Sequence, residues 1–229
     1  MQSYAIVIKG NEYSEHGFEQ LQKSSHRVDN QFETLRFDAI TTPSDWAKAY
    51  WNYPWVGSKL DIATGLLKIS YPTAVPSKRI SCAESHYNLW VKCLDADENF
   101  LIQEHDSIWK RQLSQHFDLQ GYSIVGINDP RGATRMSNKY HSETQINPSS
   151  FRHSVSRAPL IDQANIPQGI AGNSAYIITP KGAQQMINLV SDYGLWPNDA
   201  LMCRQLLPQL GQSRTYYTRL LGLPSTTST

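Results

Sequence analysis

Short apolar runs alternate along the chain with longer stretches in which apolar residues recur at helical spacing. The apolar runs predict β-strands at 4–8, 34–40, 100–102, 122–127 and 175–178. The helical spacing predicts helices at 14–24, 83–94 and 180–192. Strands that alternate with helices are typical of an α/β fold with a mostly parallel sheet. In such folds ligands bind beyond the carboxyl ends of the strands.

Capping residues and prolines add boundaries to this pattern. Ser44 is predicted to cap a helix that ends before Pro54. Thr179 is predicted to cap the helix that opens at Pro180. The residues at 197–199 open a further helix, and a last strand is predicted at 213–218.

Two stretches lack any such periodicity. Residues 131–172 are polar and irregular, which indicates a long functional loop rather than a separate domain. The tail at 224–229 is predicted to be frayed. A length of 229 residues suits one α/β domain, so we expect 1–229 to form a single unit.

Composition and charge narrow the classes of function. The formal net charge is +1, so no global basic field implies binding to nucleic acid or to an anionic membrane. Cys82, Cys93 and Cys203 are an odd number without metal-type spacing, which suits free thiols in a reducing compartment. The sequence has no signal-peptide pattern and no apolar run of membrane-spanning length, so we expect a cytoplasmic protein.

The strongest candidate chemistry follows the strand predicted at 100–102. Glu104 and Asp106 are separated by one residue, and both can turn toward one cation as the chain leaves the sheet. Carboxylate oxygens suit Mg²⁺ or Mn²⁺, and such a cation also binds a diphosphate. By itself the pair is weak evidence, because acidic pairs after strands are often solvated turns.

Three blocks in order, the first of them in two parts, carry a resemblance to a known family. Residues 81–90 read Ser-Cys-Ala-Glu-Ser-His-Tyr-Asn-Leu-Trp, and 100–106 read Phe-Leu-Ile-Gln-Glu-His-Asp. Residues 172–183 read Gly-Asn-Ser-Ala-Tyr-Ile-Ile-Thr-Pro-Lys-Gly-Ala, and 197–199 read Pro-Asn-Asp. These blocks resemble glycosyltransferase family 25, the lipooligosaccharide and procollagen galactosyltransferase-like family. The short chain is also similar to stand-alone members in tailed-phage genomes.

The resemblance implies a GT-A-type, Rossmann-like nucleotide-sugar domain with a mixed, mostly parallel sheet. It implies a donor-side half at 1–80, and a metal site and acceptor side at 81–223. Glu104 and Asp106 would hold Mn²⁺ or Mg²⁺ in an inverting, metal-dependent sugar transfer. The family's middle acid is replaced by His105, which could itself contact the nucleotide and leaves the metal's identity open.

Other residues receive roles in this scheme. Asp199 is the candidate general base, although capping a helix would also explain it. His86 could help catalysis, or it could be a helix residue satisfied by internal hydrogen bonds. Lys9 and Asn11 follow the first strand and are assigned to the donor on position alone.

The acceptor is left open between a saccharide and a hydroxymethylated pyrimidine in phage DNA. Trp51 and Trp55 belong to an aromatic cluster at 46–55 that could stack on a sugar or a base, although packing explains it more often. Arg131 is assigned to the donor diphosphate, and Arg135 to the acceptor. Asn173 is also assigned to the acceptor. A third alternative is a degenerate protein that binds sugar nucleotides without turnover.

Overall fold

The structure is a computed structural model that describes residues 1–132, 136–146 and 154–224. The strands are β1 (Gln2–Val7), β2 (Thr34–Asp38), β3 (Ser58–Asp61), β4 (Leu66–Ile69), β5 (Phe100–Glu104), β6 (Ser107–Trp109), β7 (Ile124–Gly126), β8 (Val155–Arg157), β9 (Ala175–Ile178), β10 (Leu210–Ser213) and β11 (Thr218–Leu220). The helices are α1 (Glu12–Arg27), α2 (Asp45–Tyr50), α3 (Pro76–Ala96), α4 (Ser137–Ile146), α5 (Pro180–Tyr193) and α6 (Asn198–Leu201).

Seven strands form the central sheet, in the order β2-β1-β5-β9-β7-β10-β8. Strands β1, β2, β5, β7 and β10 run in one direction, while β9 and β8 are antiparallel to their neighbours. The mixed, mostly parallel sheet predicted for a GT-A-type domain is therefore confirmed. The carboxyl ends of the five parallel strands meet at one edge, which is where a ligand site is expected.

Helices cover the two faces of this sheet differently. Alternate strand residues, such as Tyr4 and Ile102, face α3 and α5, where Trp90 is completely buried. The residues between them, such as Ala5, face α1 and its buried Leu21. A residue at the end of a strand is thus directed toward α3 or toward α1 according to its parity in the strand.

The capping predictions are confirmed. The Ser44 hydroxyl accepts from the Ala47 N–H at 3.1 Å, and the Thr179 hydroxyl accepts from the Gly182 N–H at 3.0 Å. Strand β9 has the predicted bounds. None of the helices in the described part of the chain combines the length and apolar character required to span a bilayer.

Three boundaries differ from the prediction. Helix α3 begins at Pro76 rather than near residue 83. A proline fits the first turn of a helix, and residues 77–82 include neither glycine nor a further proline that would interrupt it. The stretch at 131–172 is not irregular throughout, since it contains α4 and β8; residues 133–135 and 147–153 lie outside the described part. The strand predicted at 213–218 is wrong, because those residues mostly link β10 to β11.

Candidate active site

A chain of hydrogen bonds leads from the interior of the fold to Glu104 at the carboxyl end of β5. The Trp90 indole donates to the Tyr176 hydroxyl at 2.9 Å, and that hydroxyl lies 2.9 Å from Nδ1 of His86. His86 Nε2 lies 3.4 Å from Oε1 of Glu104. The hydroxyl accepts a hydrogen bond from Trp90 and faces Nδ1, and we assign it as the donor of the hydrogen bond to Nδ1. The imidazole then carries its own proton on Nε2, directed at Glu104.

Helix α3 supplies two side chains to this end of the sheet. Cys82 and His86 are four residues apart, so they lie on the same helical face. The Cys82 sulfur, a His86 ring nitrogen and a Glu104 oxygen all lie within 4.8 Å of one another. We call the group of side chains formed by Cys82, His86, Glu104 and Asp199 the acidic recess.

Asp199 belongs to the acidic recess from the first turn of α6. The Cys82 thiol contacts Oδ1 of the neighbouring Asn198 at 3.8 Å, which joins α3 to α6. Burial raises the pKa of Asp199; the charge of Arg79 opposes this, and the charge of Glu104 adds to it. Burial also raises the pKa of the Cys82 thiol, and the charges of Glu104 and Asp199 raise it further. The charges of Glu104 and Asp199 therefore both act on the Cys82 thiol, so the two carboxylates lie near the same group.

Glycine permits the close packing that holds Asp199 in place. A Cβ at Gly169 would lie 2.1 Å from the Asp199 carbonyl oxygen and 2.8 Å from the Met202 carbonyl oxygen. No side chain fits at that separation, so this segment approaches α6 only with glycine at position 169.

Asp106 adds a second carboxylate near Glu104, and the donors around it fit a cation. Burial raises the pKa of Asp106 to about 7, and the charge of Glu104 contributes to the rise. Its Oδ1 is buried without a hydrogen-bond partner among the described residues. The same holds for the Asn173 amide and the Ser174 hydroxyl, and the Ser174 carbonyl accepts from the Glu104 N–H. Buried polar atoms without partners are costly unless a ligand, ion or water satisfies them.

Two donor sets are therefore available to a metal at this edge. Glu104 and Asp106 provide hard oxygen ligands that suit Mn²⁺ or Mg²⁺. Cys82, His86 and Glu104 would suit a softer ion such as Zn²⁺ once the thiol and the His86 nitrogen that faces Glu104 have each lost a proton. Glu104 is common to both sets.

His105 is directed to the other face of the sheet. A Cβ on Gly17 of α1 would meet the His105 carbonyl oxygen at 2.7 Å and its ring Cδ2 at 3.1 Å. Burial lowers the pKa of His105, while the charge of Glu104 and a hydrogen bond to the Ile6 backbone act in the opposite direction. The ring thus packs against α1 and not in the acidic recess, so replacing the family's middle acid leaves Glu104 and Asp199 in place.

The other residues assigned to the donor have local partners or are exposed. The Asn11 side chain accepts from the Ser14 N–H at 3.0 Å and caps α1, while Lys9 is exposed beyond β1. Arg131 is paired with the buried Asp129, through Nε to Oδ1 at 2.9 Å and Nη2 to Oδ2 at 2.7 Å. It lies beyond β7, outside the acidic recess.

Packing accounts for the aromatic residues assigned to the acceptor. The rings of Trp51 and Trp55 stack with centroids 4.8 Å apart and an interplanar angle of 6°. Both are half-buried against the main core, and the Trp51 indole donates to the Tyr53 carbonyl at 3.0 Å. Arg135 lies outside the described residues. Among the described acceptor residues, Asn173 is the one next to Ser174, whose carbonyl accepts from the Glu104 N–H.

Sequence reasoning did not assign Arg79, Cys82 or Tyr176 to the site. The four-residue spacing of Cys82 and His86 on a predicted helix could have joined them. Nothing in the local sequence marks Tyr176, which stands 90 residues from His86 and reaches it only because β9 pairs with β5.

An α/β sheet with carboxylates gathered at its carboxyl edge defines a ligand-binding domain of the Rossmann-like class. The model of glycosyltransferase family 25, described as an LPS biosynthesis protein, matches residues 19–202, and the chain belongs to this family. No curated protein matches the chain in sequence.

Two solved structures show distant similarity. One is the glycosyltransferase GlyE of Streptococcus pneumoniae TIGR4, at 13% identity and a TM-score of 0.40 over 93% of this chain and 45% of that one. The other is an active-site mutant of LgtC, at 11% identity and a TM-score of 0.44 over 93% of this chain and 72% of that one. The chain thus spans less than half the length of the pneumococcal protein.

Proposed function

We propose that this chain transfers a sugar from a nucleoside-diphosphate donor to an acceptor hydroxyl, with inversion at the anomeric carbon. Membership of glycosyltransferase family 25 supports the general reaction. The observation that supports the mechanism is the meeting of Glu104, at the end of β5, with Asp199, at the start of α6, in one acidic recess.

Glu104 and Asp106 would hold Mn²⁺ or Mg²⁺, which supplies charge neutralisation for the departing diphosphate. The His86 imidazole keeps Glu104 oriented. The Asn173 amide is buried without a hydrogen-bond partner among the described residues and would bind a polar group of a ligand. His86 is completely buried, so in this proposal it is a positioning residue and not a catalytic one.

Asp199 would act as the general base. The acceptor oxygen forms its bond to the anomeric carbon while its proton passes to the Asp199 carboxylate. The bond between that carbon and the diphosphate breaks with its electron pair on the diphosphate, on the opposite face of the sugar. A carboxylate with a raised pKa is a stronger base than an ordinary one, which favours this role.

The donor half is tested by thermal unfolding with a panel of nucleoside diphosphates and sugar nucleotides, each with and without Mn²⁺. A ligand at one hundred times its dissociation constant stabilises the native state by roughly 2.7 kcal/mol. We expect one base to stabilise the protein in a Mn²⁺-dependent manner. A Glu104→Gln variant should lose that dependence, and the exposed Glu19→Gln variant is the matched control.

Turnover separates a transferase from a protein that only binds sugar nucleotides. We expect release of nucleoside diphosphate from the stabilising donor. The Asp199→Asn variant should keep the donor-induced thermal shift and lose release by at least about a hundredfold, the scale of a lost general base. A shift without any turnover in the parent protein would support the non-catalytic alternative. Unchanged release in Asp199→Asn would reject this base.

A further inference from the structure

A concave site lies beyond β7 at the same sheet edge and is strongly basic. It is a cavity of about 210 Å³ between the residues that follow β6, the middle and end of α4, and the link from β10 to β11. Its lining residues are Lys110, Arg111, Arg131, His141, Gln145, Arg214, Thr215 and Tyr216. We call it the basic pocket.

Positive charge exceeds negative charge in the basic pocket. Asp129 is the carboxylate that pairs there, with Lys110 at 2.9 Å and Arg131 at 2.7 Å. Arg111 adds a further cation to the lining, and Arg214 borders the cavity while donating to the Gln145 carbonyl. A net charge of +1 for the whole chain therefore does not describe this surface, where Lys110, Arg111 and Arg131 surround Asp129, the carboxylate that the described residues place there.

The walls of the basic pocket are held in place by their own contacts. Gln145 of α4 donates to the Arg214 carbonyl at 3.0 Å, and Arg214 donates to the Gln145 carbonyl at 3.1 Å. The His141 ring lies 5.4 Å from the ring of Tyr216, and its Nδ1 is buried without a partner among the described residues. Cationic side chains on fixed walls, together with the His141 nitrogen that lacks a partner among the described residues, are suited to bind an anion.

The size and location of the basic pocket suit one group of an acceptor better than a whole donor. Ligand sites for complete small molecules usually measure roughly 300–1,000 Å³, so this cavity is small for a nucleotide. Strands β5 and β7 are separated by β9, so the strands that lead to the two sites are about 10 Å apart in the sheet. An acceptor could therefore occupy the basic pocket while its hydroxyl reaches Asp199.

We propose that the basic pocket binds a phosphomonoester carried by a saccharide acceptor. This inference rests on the proposed function and names the acceptor's class. Arg side chains bind phosphate oxygens in bidentate fashion, and a dianion matches the excess of cations. The described cations converge on one cavity and do not form a stripe, which favours a single terminal phosphate over the repeated phosphodiesters of a nucleic-acid backbone.

The test is calorimetric titration with inorganic phosphate and with glucose 6-phosphate, at fixed ionic strength and without donor. We expect one site per chain. Arg111→Gln and Arg214→Gln should each weaken binding about tenfold, as expected for a lost charge-assisted contact. Arg219→Gln removes an exposed arginine of neighbouring β11 and is the matched control, with unchanged affinity expected. Absence of binding, or binding that both variants retain, would overturn the proposal.

A duplex oligodeoxynucleotide forms the second arm. We expect it to bind more weakly than glucose 6-phosphate at the same salt concentration. Tighter binding that falls steeply with salt and is lost in Arg111→Gln would replace the phosphomonoester with nucleic acid. Both arms are independent of turnover. Phosphate binding with no donor-induced shift would leave the basic pocket in place while rejecting the proposed transferase function.

Discussion

The Tyr176 hydroxyl lies 2.9 Å from Nδ1 of His86, and it also accepts a hydrogen bond from the Trp90 indole. With the hydroxyl assigned as the donor to Nδ1, the imidazole carries its proton on Nε2, the nitrogen that faces Glu104 at 3.4 Å. The three side chains are fully buried, so water does not replace the contact if it is lost. A hydroxyl in the core thus controls the orientation of a carboxylate at the sheet edge.

Replacing Tyr176 by Phe should weaken metal binding through Glu104. The change leaves the Trp90 indole and His86 Nδ1 unpaired, and it should cost about 1–3 kcal/mol of stability. Loss of the fixed tautomer should reduce Mn²⁺ affinity by up to about 10-fold, the low end of the range for partners of metal ligands, because Tyr176 acts on Glu104 through His86. Mn²⁺ titration and urea unfolding measure the two effects.

Tyr140→Phe is the matched control, because Tyr140 is equally buried and donates to Gln212 far from Glu104. It should lower stability without changing Mn²⁺ affinity. Equal Mn²⁺ affinities in the two variants would show that Tyr176 acts only through folding.

Arg79 should influence the pH at which kcat/KM falls on the acid side of its pH profile. Burial raises the pKa of Asp199, the charge of Arg79 lowers it, and the base must be deprotonated to act. Activity should therefore rise with pH through the raised pKa of Asp199. Removing the opposing charge in Arg79→Gln raises that pKa further, so the acid limb of kcat/KM should move to higher pH.

The profile of Lys92→Gln, an exposed cation on the same helix, should match the parent profile. An acid limb that stays in place in Arg79→Gln would mean that a group other than Asp199 titrates.

Gly17→Ala provides a steric test of the turn that carries Asp106. Helix propensity alone predicts a gain of about 1 kcal/mol, since alanine replaces glycine inside α1. The new Cβ would meet the His105 carbonyl oxygen at 2.7 Å, however, and overpacking of this kind costs typically 1–3 kcal/mol. We expect lower stability and weaker Mn²⁺ binding, because the turn must move.

Urea unfolding of Gly17→Ala measures the sign directly. Gln22→Ala, at an exposed position of α1, should change stability only slightly. A net stabilisation of Gly17→Ala would mean that the turn yields without cost.

Asp129 should make stability depend on acid pH. Burial by itself raises the pKa of Asp129, but hydrogen bonds from Arg131 and Lys110 lower it well below the usual carboxyl range. Its contribution to stability is then complete above the unfolded pKa of about 3.9 and is lost as pH falls through the lower folded value.

Asp129→Asn should flatten the loss of stability below about pH 4, measured by urea unfolding across pH. Asp95→Asn, an exposed position on α3, should keep the parent's slope. An unchanged slope in Asp129→Asn would indicate that the ion pair does not form in solution.

Features that depend on neighbouring residues were predictable without coordinates. The apolar run at 175–178 formed β9, and Ser44 and Thr179 capped their helices, because these choices are local. The position of Glu104 at the end of a strand was predictable for the same reason. By contrast, β10 reads Leu-Gly-Gln-Ser and shows no strand pattern, yet it lies fully buried between β7 and β8. Its neighbours, not its composition, place it there.

The sequence by itself determined the family, the class of sheet and the sheet edge at which the carboxylates lie. Each of these depends on short segments whose residues are close together along the chain. Only the tertiary structure decided which groups face each other. Because successive residues of a strand face opposite sides of the sheet, Glu104 faces α3 and His105 packs against α1. Helix α6 places Asp199 close enough to Cys82 for its charge to act on the thiol. Such long-range contacts arise when sheet and helices pack together, so no local pattern encodes them.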